Sequence, residues 1–396
     1  MKKRLTIVIS HPIQYHAPLY AYAQEANLFD VHVIYHNDRG VRPYFEKLAN
    51  STITYDNNLL EGYSYEFLTR GDPVKLHQKL LQKLLYRLES RIYASTPDAV
   101  YFHGYNSIPH IRAISRLRKR GIKVFFRGEN EDVLPRPWWR NMVREATLKY
   151  LINKFDAILY IGLENQEFFK RRGVSEDKLF FVPYSADNAY FGINLSATER
   201  SDIRKDICSE YEIDPNAVIF INTCKHRAEK RPKDLVAAYI QARSELDPSI
   251  KSALLLVGDG PQNGELRTMV EAAGLSDVFF AGYVNQSKLK LLLLAADYCV
   301  NPAEEPWGCV FNEALPAGLG LISSDRVVGW PDMVRADENG FVYECGNIED
   351  LAAILKKCIC HPEWRSQFAA ISKAVAREYS YDTCVKGLHQ ALEVMI

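Results

Sequence analysis

Hydrophobic residues along the chain form short runs separated by longer stretches with helical spacing. The first series of runs is Leu5–Ile9, Val31–Tyr35, Ala99–Phe102, Lys123–Phe126, Ala157–Ile161 and Leu179–Val182. The second series is Ala217–Asn222, Ser252–Val257, Val278–Phe280, Tyr298–Val300 and Gly320–Ser323. Continuous apolar strands that alternate with helices are typical of parallel sheets covered on both faces. The pattern therefore predicts an α/β protein with two Rossmann-like, doubly wound domains.

Turn and charged residues replace this pattern around residues 183–210, so the boundary between the domains is predicted there. We assign residues 1–190 to an N-terminal domain and residues 191–380 to a C-terminal domain. The helical stretches include 76–93, 108–120 and 232–245. At the end of the chain, Val385, Leu388, Leu392 and Met395 have helical spacing, which predicts a last helix over 381–396.

The charge of the chain is balanced as a whole but not along its length. The 396 residues include 49 Lys and Arg and 49 Asp and Glu, and 47% are hydrophobic, as in a soluble globular protein. Residues 1–190 hold 28 basic and 20 acidic residues, whereas residues 191–396 hold 21 and 29. A net charge of zero argues against a protein that coats nucleic acid through bulk electrostatics. We expect no nucleic-acid partner.

The cysteines and the N-terminus indicate where the protein works. None of the eight cysteines forms a CxxC pair, which favours a reduced, cytoplasmic protein. The N-terminus has a basic start, but its apolar run, Leu5–Ile9, is too short for a signal peptide. No run of about 18 apolar residues is present, so no membrane span is predicted.

In open α/β sheets, ligands bind at the carboxyl ends of the strands. The loop after the first strand carries His11, Gln14, Tyr15 and His16 instead of glycines, and the chain contains neither G-x-G-x-x-G nor G-x-x-x-x-G-K-[ST]. Both motifs bring the backbone close to phosphates. Their absence disfavours an NAD(P) dehydrogenase and a P-loop enzyme.

Two other strand ends carry charged residues suited to a nucleotide. Glu305 precedes a helix that is predicted to start at about residue 309, and Glu313 lies in its first turns. Carboxylates there could bind hydroxyls and leave the backbone amides for phosphate. The first strand of the second domain leads into a basic cluster that could clamp a diphosphate, composed of Lys225, Arg227, Lys230 and Arg231. Taken separately, these residues could also be a capping acid, a surface acid and a solvated helix start.

Taken together, the motifs resemble those of retaining glycosyltransferases with the GT-B fold, specifically family 4 (glycosyl transferases group 1). The stretch Glu305-Pro-Trp-Gly-Cys-Val-Phe-Asn-Glu313 is similar to the Glu-x7-Glu motif of that family, and Lys225 and Lys230 match its phosphate-clamping motif. The remaining matches follow in the order and spacing of the family: Gly173-Val174, Pro183–Asp187, Gly258–Pro261, Gly282–Val284, Ala296-Asp297, Ser324-Asp325 and Asn339-Gly340. The resemblance covers nearly the whole chain and is strongest over 174–350.

The resemblance implies a role for each matched residue. Glu305 would hold hydroxyls of the donor sugar and Glu313 would bind the ribose. Lys225 and Lys230 would stabilise the charge on the leaving nucleoside diphosphate. Donor-binding positions would further include Gly258, Tyr283, Val284 and the segment Trp307, Gly308, Cys309 and Val310. Neither a cofactor nor a metal is implied, and the sequence contains no Asp-x-Asp metal motif. The donor cleft would lie between the two domains, with the last helix packed back on the N-terminal domain.

Two strand ends in the first domain depart from the family pattern. The first loop often has a Gly-Gly pair in the family, so His11, Gln14, Tyr15 and His16 are expected to contact the donor phosphate or the acceptor instead. Arg127 stands where many relatives have a histidine near the donor sugar, and it could bind phosphate or a carboxylate-bearing sugar. His103 ends the preceding strand, and catalytic and structural roles are both open for it.

The basic N-terminal domain is the expected place for the acceptor. A stripe of Lys75, Lys79, Lys83, Arg87 and Arg91 borders the apolar face of a predicted helix, and Leu134–Arg140 adds two tryptophans and further basic residues. Such a surface could bind an anionic membrane, or it could be a solvated helix packed on its own sheet. If it binds a membrane, the protein would be peripheral on the inner face of the cell membrane.

The resulting hypothesis is a metal-independent, retaining transferase that moves a sugar from a UDP- or GDP-type donor to a saccharide or lipid-linked saccharide, in cell-surface polysaccharide or glycoconjugate synthesis. Retention could proceed through a covalent carboxylate adduct or through a same-face, ion-pair-like route, which the resemblance favours. The alternatives are a nucleotide-sugar epimerase of the same fold and a catalytically silent nucleotide-sugar-binding protein.

Overall fold

The computed structural model describes residues 2–46, 51–53, 55–70, 87–105, 108–135 and 137–396. They divide into two compact units. Unit 1 comprises Met1–Tyr44, Asn57–Ser185 and Ser380–Ile396, and unit 2 comprises Phe45–Asp56 and Ala186–Tyr379. Most of the predicted basic stripe, including Lys75, Lys79 and Lys83, lies outside the described residues.

Unit 1 is built on a parallel sheet, in which seven strands are described, with the order β5-β2-β1-β6-β7-β8-β9. The strands are β1 (Arg4–Ile9), β2 (Asp30–Tyr35), β5 (Ser64–Phe67), β6 (Ala99–His103), β7 (Lys123–Arg127), β8 (Ala157–Tyr160) and β9 (Leu179–Phe181). The helices are α1 (Ala17–Glu25), α2 (Leu88–Ala94), α3 (Ile108–Lys119), α4 (Trp138–Ile152) and α5 (Leu163–Lys170), with a single 3-10 turn at Glu176–Lys178.

Unit 2 contains a second parallel sheet, with six strands among the described residues in the order β12-β11-β10-β13-β14-β15. The strands are β10 (Val218–Thr223), β11 (Ser252–Val257), β12 (Val278–Gly282), β13 (Tyr298–Asn301), β14 (Gly320–Ser324) and β15 (Gly340–Tyr343). A separate ribbon pairs β3 (Tyr44–Glu46) with β4 (Ser51–Ile53).

The helices of unit 2 alternate with these strands. They are α6 (Ala197–Glu210), α7 (Pro232–Ser244), α8 (Asn263–Ala272), α9 (Gln286–Ala295), α10 (Cys309–Ala314), α11 (Trp330–Met333), α12 (Ile348–Cys360) and α13 (Trp364–Glu378), with a 3-10 turn at Ala228–Lys230. The strand centres are buried: every residue of β11 and β14 is buried, as expected for a sheet covered on both faces. The predicted fold class, two doubly wound parallel sheets, is confirmed.

The last helix, α14 (Tyr381–Met395), packs on β8, β9 and α1 within unit 1. A glycine allows the close approach, because a Cβ atom at Gly387 would lie 2.0 Å from the carbonyl oxygen of Phe181. Lys3 also donates to the carbonyl oxygen of Leu392 at 3.1 Å. The two ends of the chain are therefore held in the same unit.

Candidate functional site: charged residues at the strand ends of each unit

In unit 2, most of the predicted site residues lie where parallel strands end. Lys225 and Lys230 follow β10, Gly258 follows β11, Tyr283 and Val284 follow β12, and Glu305 comes shortly after β13. Parallel neighbours end at the same edge of a sheet, so these loops lie at one edge.

Glu305 and Lys230 form the centre of this edge. The ammonium group of Lys230 contacts Oε2 of Glu305, and Nδ2 of Asn301 donates to Oε1 at 2.6 Å. The backbone of Glu305 is fixed too, because its N–H donates to Arg326 O at 3.1 Å and its carbonyl accepts from Val328 N at 2.9 Å. The carboxylate is thus oriented by a cation and an amide. Sequence reasoning did not single out Asn301, although a polar residue that ends an apolar strand is a usable signal.

The four basic residues of the loop after β10 have different partners. Arg227 contacts Glu229, and Arg231 donates to Asp234 at 2.7 Å and to Glu304 at 3.2 Å. These arginines are held by neighbouring acids of unit 2. Lys225 is more open, with 42% of its side chain exposed, and its ammonium group lies 3.6 Å from Glu46 on β3. All four basic residues thus have an acidic neighbour, and Lys225 is the most exposed of them.

Gly258 positions the lysine loop. Its φ is +130°, and a Cβ atom there would lie 1.9 Å from the carbonyl oxygen of Cys224. The two loops are also joined by backbone hydrogen bonds, from Cys224 N to Val257 O at 3.0 Å and from His226 N to Asp259 O at 3.0 Å. Gly258 thus allows the loop after β11 to support the loop that carries Lys225.

Glu313 lies on α10 and is buried, with 3% of its surface exposed. Burial raises its pKa to about 7, and the hydrogen bond that Gln286 Nε2 donates to Oε1, at 3.4 Å, opposes the shift. A carboxyl group with this pKa can change protonation when a ligand binds at neutral pH. Gln286 was not among the predicted residues.

The segment between the two glutamates is held by packing and by its backbone conformation. Trp307 is buried, its indole Nε1 donates to Asn312 Oδ1 at 2.8 Å, and its ring lies 6.0 Å from that of Tyr379. Gly308 adopts φ +98° as the N-cap of α10, and Cys309 and Val310 open that helix. Since α10 has six residues, its dipole is small.

Tyr283 and Val284 are half-buried in the loop between β12 and α9. Gly282 precedes them with φ +66° and accepts a hydrogen bond from Gly258 N at 2.8 Å. The loop after β12 is therefore attached to the loop after β11, and through it to the lysines.

Unit 1 holds the remaining predicted residues around a cavity of about 400 Å³. Its walls include His16, His103, Arg127, Glu129 and Tyr184. The guanidinium carbon of Arg127 lies 4.5 Å from the centre of the Tyr184 ring, and the rings of His16 and His103 are 4.6 Å apart. The structure thus brings together three residues that the sequence placed on three different strand ends.

The histidines of this cavity are uncharged at neutral pH. Burial, together with repulsion from Arg127, lowers the pKa of both His16 and His103 well below its usual value. His103 Nε2 is hydrogen-bonded to the hydroxyl of Tyr20 at 2.8 Å. Arg127 is 3% exposed and keeps its charge, because arginine is protonated under all ordinary conditions.

The first loop is divided between the cavity and its surroundings. His16 lines the cavity wall, whereas His11, Gln14 and Tyr15 are half-buried residues outside that lining. Burial, and to a lesser degree Arg39, lowers the pKa of His11 to about 4. Sequence reasoning missed Tyr184, which covers the face of Arg127, because an aromatic residue next to a proline gives no functional signal.

The described ranges contain neither a cluster of side chains suited to a metal ion nor a helix suited to a membrane span. No group of three or more His, Cys, Asp or Glu residues that could hold a metal ion occurs there. Among the same residues, no helix has the length and hydropathy needed to cross a membrane.

Comparisons with known proteins show which family part of the chain resembles. The profile described as glycosyl transferases group 1 matches residues 204–375. The N-acetyl-alpha-D-glucosaminyl L-malate synthase of Bacillus anthracis is 31% identical over 159 residues, which are 39% of this chain and 40% of that protein. The lipopolysaccharide core biosynthesis glycosyltransferase LpsD of Rhizobium meliloti is 31% identical over 136 residues, which are 34% of this chain and 38% of that protein. The chain thus spans about 40% of the length of these two relatives.

The comparison of whole folds covers both units. The crystal structure of Anabaena Alr3699/HepE in complex with UDP matches 99% of this chain and 100% of that chain with a TM-score of 0.71, at 17% sequence identity. A sequence identity of 17% is evidence for a shared fold and for nothing more. That fold is GT-B, as the sequence motifs predicted. Residues 204–375 are therefore similar to the glycosyl transferases group 1 family, and the GT-B fold extends over both units.

Proposed function

We propose that the protein is a retaining glycosyltransferase that takes a sugar from a nucleotide-sugar donor bound by unit 2. The observation that carries this proposal is the Lys230–Glu305–Asn301 arrangement beside Lys225. It combines two ammonium groups suited to a diphosphate with a fixed carboxylate suited to sugar hydroxyls. The Anabaena protein was solved with UDP and with UDP-glucose, which supports a UDP-type donor; a GDP-type donor is the alternative.

In this proposal each residue acts through charge or hydrogen bonding. Lys225 and Lys230 stabilise the negative charge that develops on the departing diphosphate, which is catalysis by preorganised electrostatics. Glu305 accepts hydrogen bonds from the donor sugar, and Glu313 accepts them from the ribose. Because the lysines neutralise the diphosphate, no divalent metal is required. We favour same-face transfer over a covalent adduct for the retention of configuration.

The acceptor is proposed to be a saccharide or a lipid-linked saccharide of a cell-surface polysaccharide or glycoconjugate, bound by unit 1. Relatives with this kind of activity include the lipopolysaccharide core glycosyltransferase of Rhizobium meliloti. The N-acetyl-alpha-D-glucosaminyl L-malate synthase of Bacillus anthracis is named for a product in which the sugar is joined to malate, a much smaller group. An acceptor of either size is compatible with the family.

A lipid-linked acceptor is favoured by the outer surface of α4. Trp138, Trp139, Met142 and Val143 are between 52% and 72% exposed, whereas Leu148, Leu151 and Ile152 face the core. Exposed tryptophans beside basic residues are typical of helices that lie at a membrane interface, and Arg140 and Lys149 supply the charge. We therefore propose that unit 1 attaches peripherally to an anionic membrane, as it would on the inner face of the cell membrane.

Donor binding is tested by thermal unfolding against a panel of nucleotide sugars. A ligand present at about 100 times its dissociation constant should stabilise the protein by about 2.7 kcal/mol. We expect stabilisation by one nucleobase class, and its loss in Lys230→Ala. Lys233→Ala is a matched control, because Lys233 is paired with Glu265 on the adjacent helix. If no nucleotide sugar stabilises the wild type, the proposal is wrong.

Product analysis separates the proposal from its two alternatives. With a donor labelled in the sugar, a transferase gives a labelled acceptor, whereas an epimerase converts the donor without any acceptor. A catalytically silent binding protein would be stabilised by the donor and give neither product. The intact Glu305 and Lys230 pair favours the transferase.

A further inference from the structure

The cavity of unit 1 contains a buried guanidinium with two unused donors. Arg127 is 3% exposed, yet its Nε and Nη2 make no hydrogen bond to any residue that the structure describes. The residue lines a cavity whose volume, about 400 Å³, lies in the lower part of the range of about 300–1,000 Å³ for small-molecule sites. Buried donors without partners are costly and rare, so this pair calls for an explanation.

The two unused donors lie on the same side of the guanidinium. Nη1 points to the hydroxyl of Tyr101, at 3.4 Å, and one face of the group is covered by the ring of Tyr184. The edge formed by Nε–H and Nη2–H is left without a hydrogen-bond partner among the described residues. These two bonds are nearly parallel and match the two oxygens of a carboxylate or a phosphate, which is the usual side-on arrangement of arginine with such groups.

The charges of the cavity suit one singly charged anionic group at the guanidinium better than a diphosphate. His16 and His103 are neutral because burial lowers their pKa, so Arg127 carries the positive charge of the walls. Glu129, which accepts a hydrogen bond from the Tyr184 hydroxyl, also lines the cavity. One guanidinium can balance one carboxylate but not a diphosphate, for which unit 2 offers Lys225 and Lys230.

We propose that the substrate bound in this cavity carries a carboxylate, and that Arg127 receives it side-on through Nε and Nη2. This inference rests on the proposed function in calling the ligand a substrate of sugar transfer. The carboxylate belongs to the acceptor, which the proposed function assigns to unit 1, and Arg127 determines the specificity for it.

The experiment compares charged and neutral probes of the same shape. Dissociation constants of the full-length protein are measured for glucuronate against glucose and for galacturonate against galactose, with and without saturating UDP. We expect a uronate to bind at least tenfold more tightly than its neutral partner.

Two variants assign the effect to the arginine. Arg127→Gln should abolish the preference for the charged probe, and Arg127→Lys should retain only part of it, because an ammonium group lacks the planar fork. Arg116→Gln, which removes an exposed arginine paired with Glu89 in the same unit, is the control and should bind like wild type. The comparison of probes on the wild type remains valid even if Arg127→Gln fails to fold.

Two results would overturn the inference. One is the lack of a preference for every charged probe in the wild type. The other is an equal loss of UDP and UDP-glucose affinity in Arg127→Gln, which would assign the guanidinium to the diphosphate. Failure of the proposed function is a different outcome, since no nucleotide sugar would then bind, and the free uronates would still test the cavity.

Discussion

At the scale of single residues, burial decides which charges are available. Glu305 is held by Lys230 and Asn301, so its carboxylate is ready to accept hydrogen bonds. Glu313 is buried and accepts a hydrogen bond from the neutral amide of Gln286, and burial raises its pKa to about 7. The two glutamates of one sequence motif therefore differ in their partners: a cation and an amide hold Glu305, whereas an amide faces Glu313.

The raised pKa of Glu313 predicts a particular pH dependence of stability. Between about pH 4.5 and pH 7 the unfolded chain releases this proton while the folded protein keeps it, so stability is lost as the pH rises. Relative to Glu313→Gln, wild type should lose up to about 3 kcal/mol of unfolding free energy over this range. Denaturant unfolding of both proteins at pH 5 and pH 8 measures it. Parallel pH profiles would contradict the prediction.

The sequence predicted residue types at the site better than their partners. Glu305 and Lys230 were assigned from the motif, and the structure places them in contact. Asn301 was not predicted because hydrogen bonding across a turn depends on backbone geometry. Trp307 was expected in donor binding, but its indole bonds to Asn312, a contact that only packing defines. Tyr184 lies far along the chain from Arg127, and no spacing rule joins them.

At the scale of elements, the strands that were predicted are those with continuous apolar runs. β1, β10 and β11 agree with their predicted runs to within one residue, because buried parallel strands need apolar side chains on both faces. The edge strand β5 was missed, since its residues are exposed or half-buried and lack such a run. β15 was missed because its apolar run is short, at four residues.

The close loops of unit 2 give a prediction with a matched control. Gly258→Ala would force a Cβ atom against the carbonyl of Cys224 at a left-handed φ, so we expect a loss of about 2–4 kcal/mol in stability and weaker donor binding. Gly264→Ala places a Cβ atom where no atom lies within 4 Å, on a helix, and should stabilise by up to about 1 kcal/mol. Equal unfolding midpoints for the two variants would refute this reading of the loop.

Helix α4 gives a prediction about membranes. We expect the protein to sediment with vesicles that contain anionic lipid, less so at high salt, because each basic residue near such a surface contributes about 1 kcal/mol. The double variant Trp138→Ala, Trp139→Ala should no longer sediment with these vesicles. Val394→Ala, which removes an exposed apolar residue from α14, should sediment like wild type. Vesicle binding that does not depend on anionic lipid, or that is unchanged in the double variant, would contradict the membrane proposal.

At the scale of the whole molecule, the balanced charge is the sum of two unlike halves. The first 190 residues carry the excess of basic residues and contain both Arg127 and the exposed surface of α4. The second half is acidic overall but has a local pair of lysines at its strand ends. This partition fits a proposed division of work, in which unit 2 binds the diphosphate of the donor and unit 1 binds an acidic group and an anionic surface.

The measurement that tests the central claim most directly is sugar transfer with excess EDTA, from the donor found by thermal stabilisation, in wild type and Glu305→Gln. The account predicts that wild type forms a product with the anomeric configuration of the donor, unaffected by EDTA. It predicts that Glu305→Gln stays folded but loses at least a hundredfold in kcat/KM, which corresponds to about 2.7 kcal/mol. Near-normal turnover by the variant, or inversion of configuration by the wild type, would contradict it.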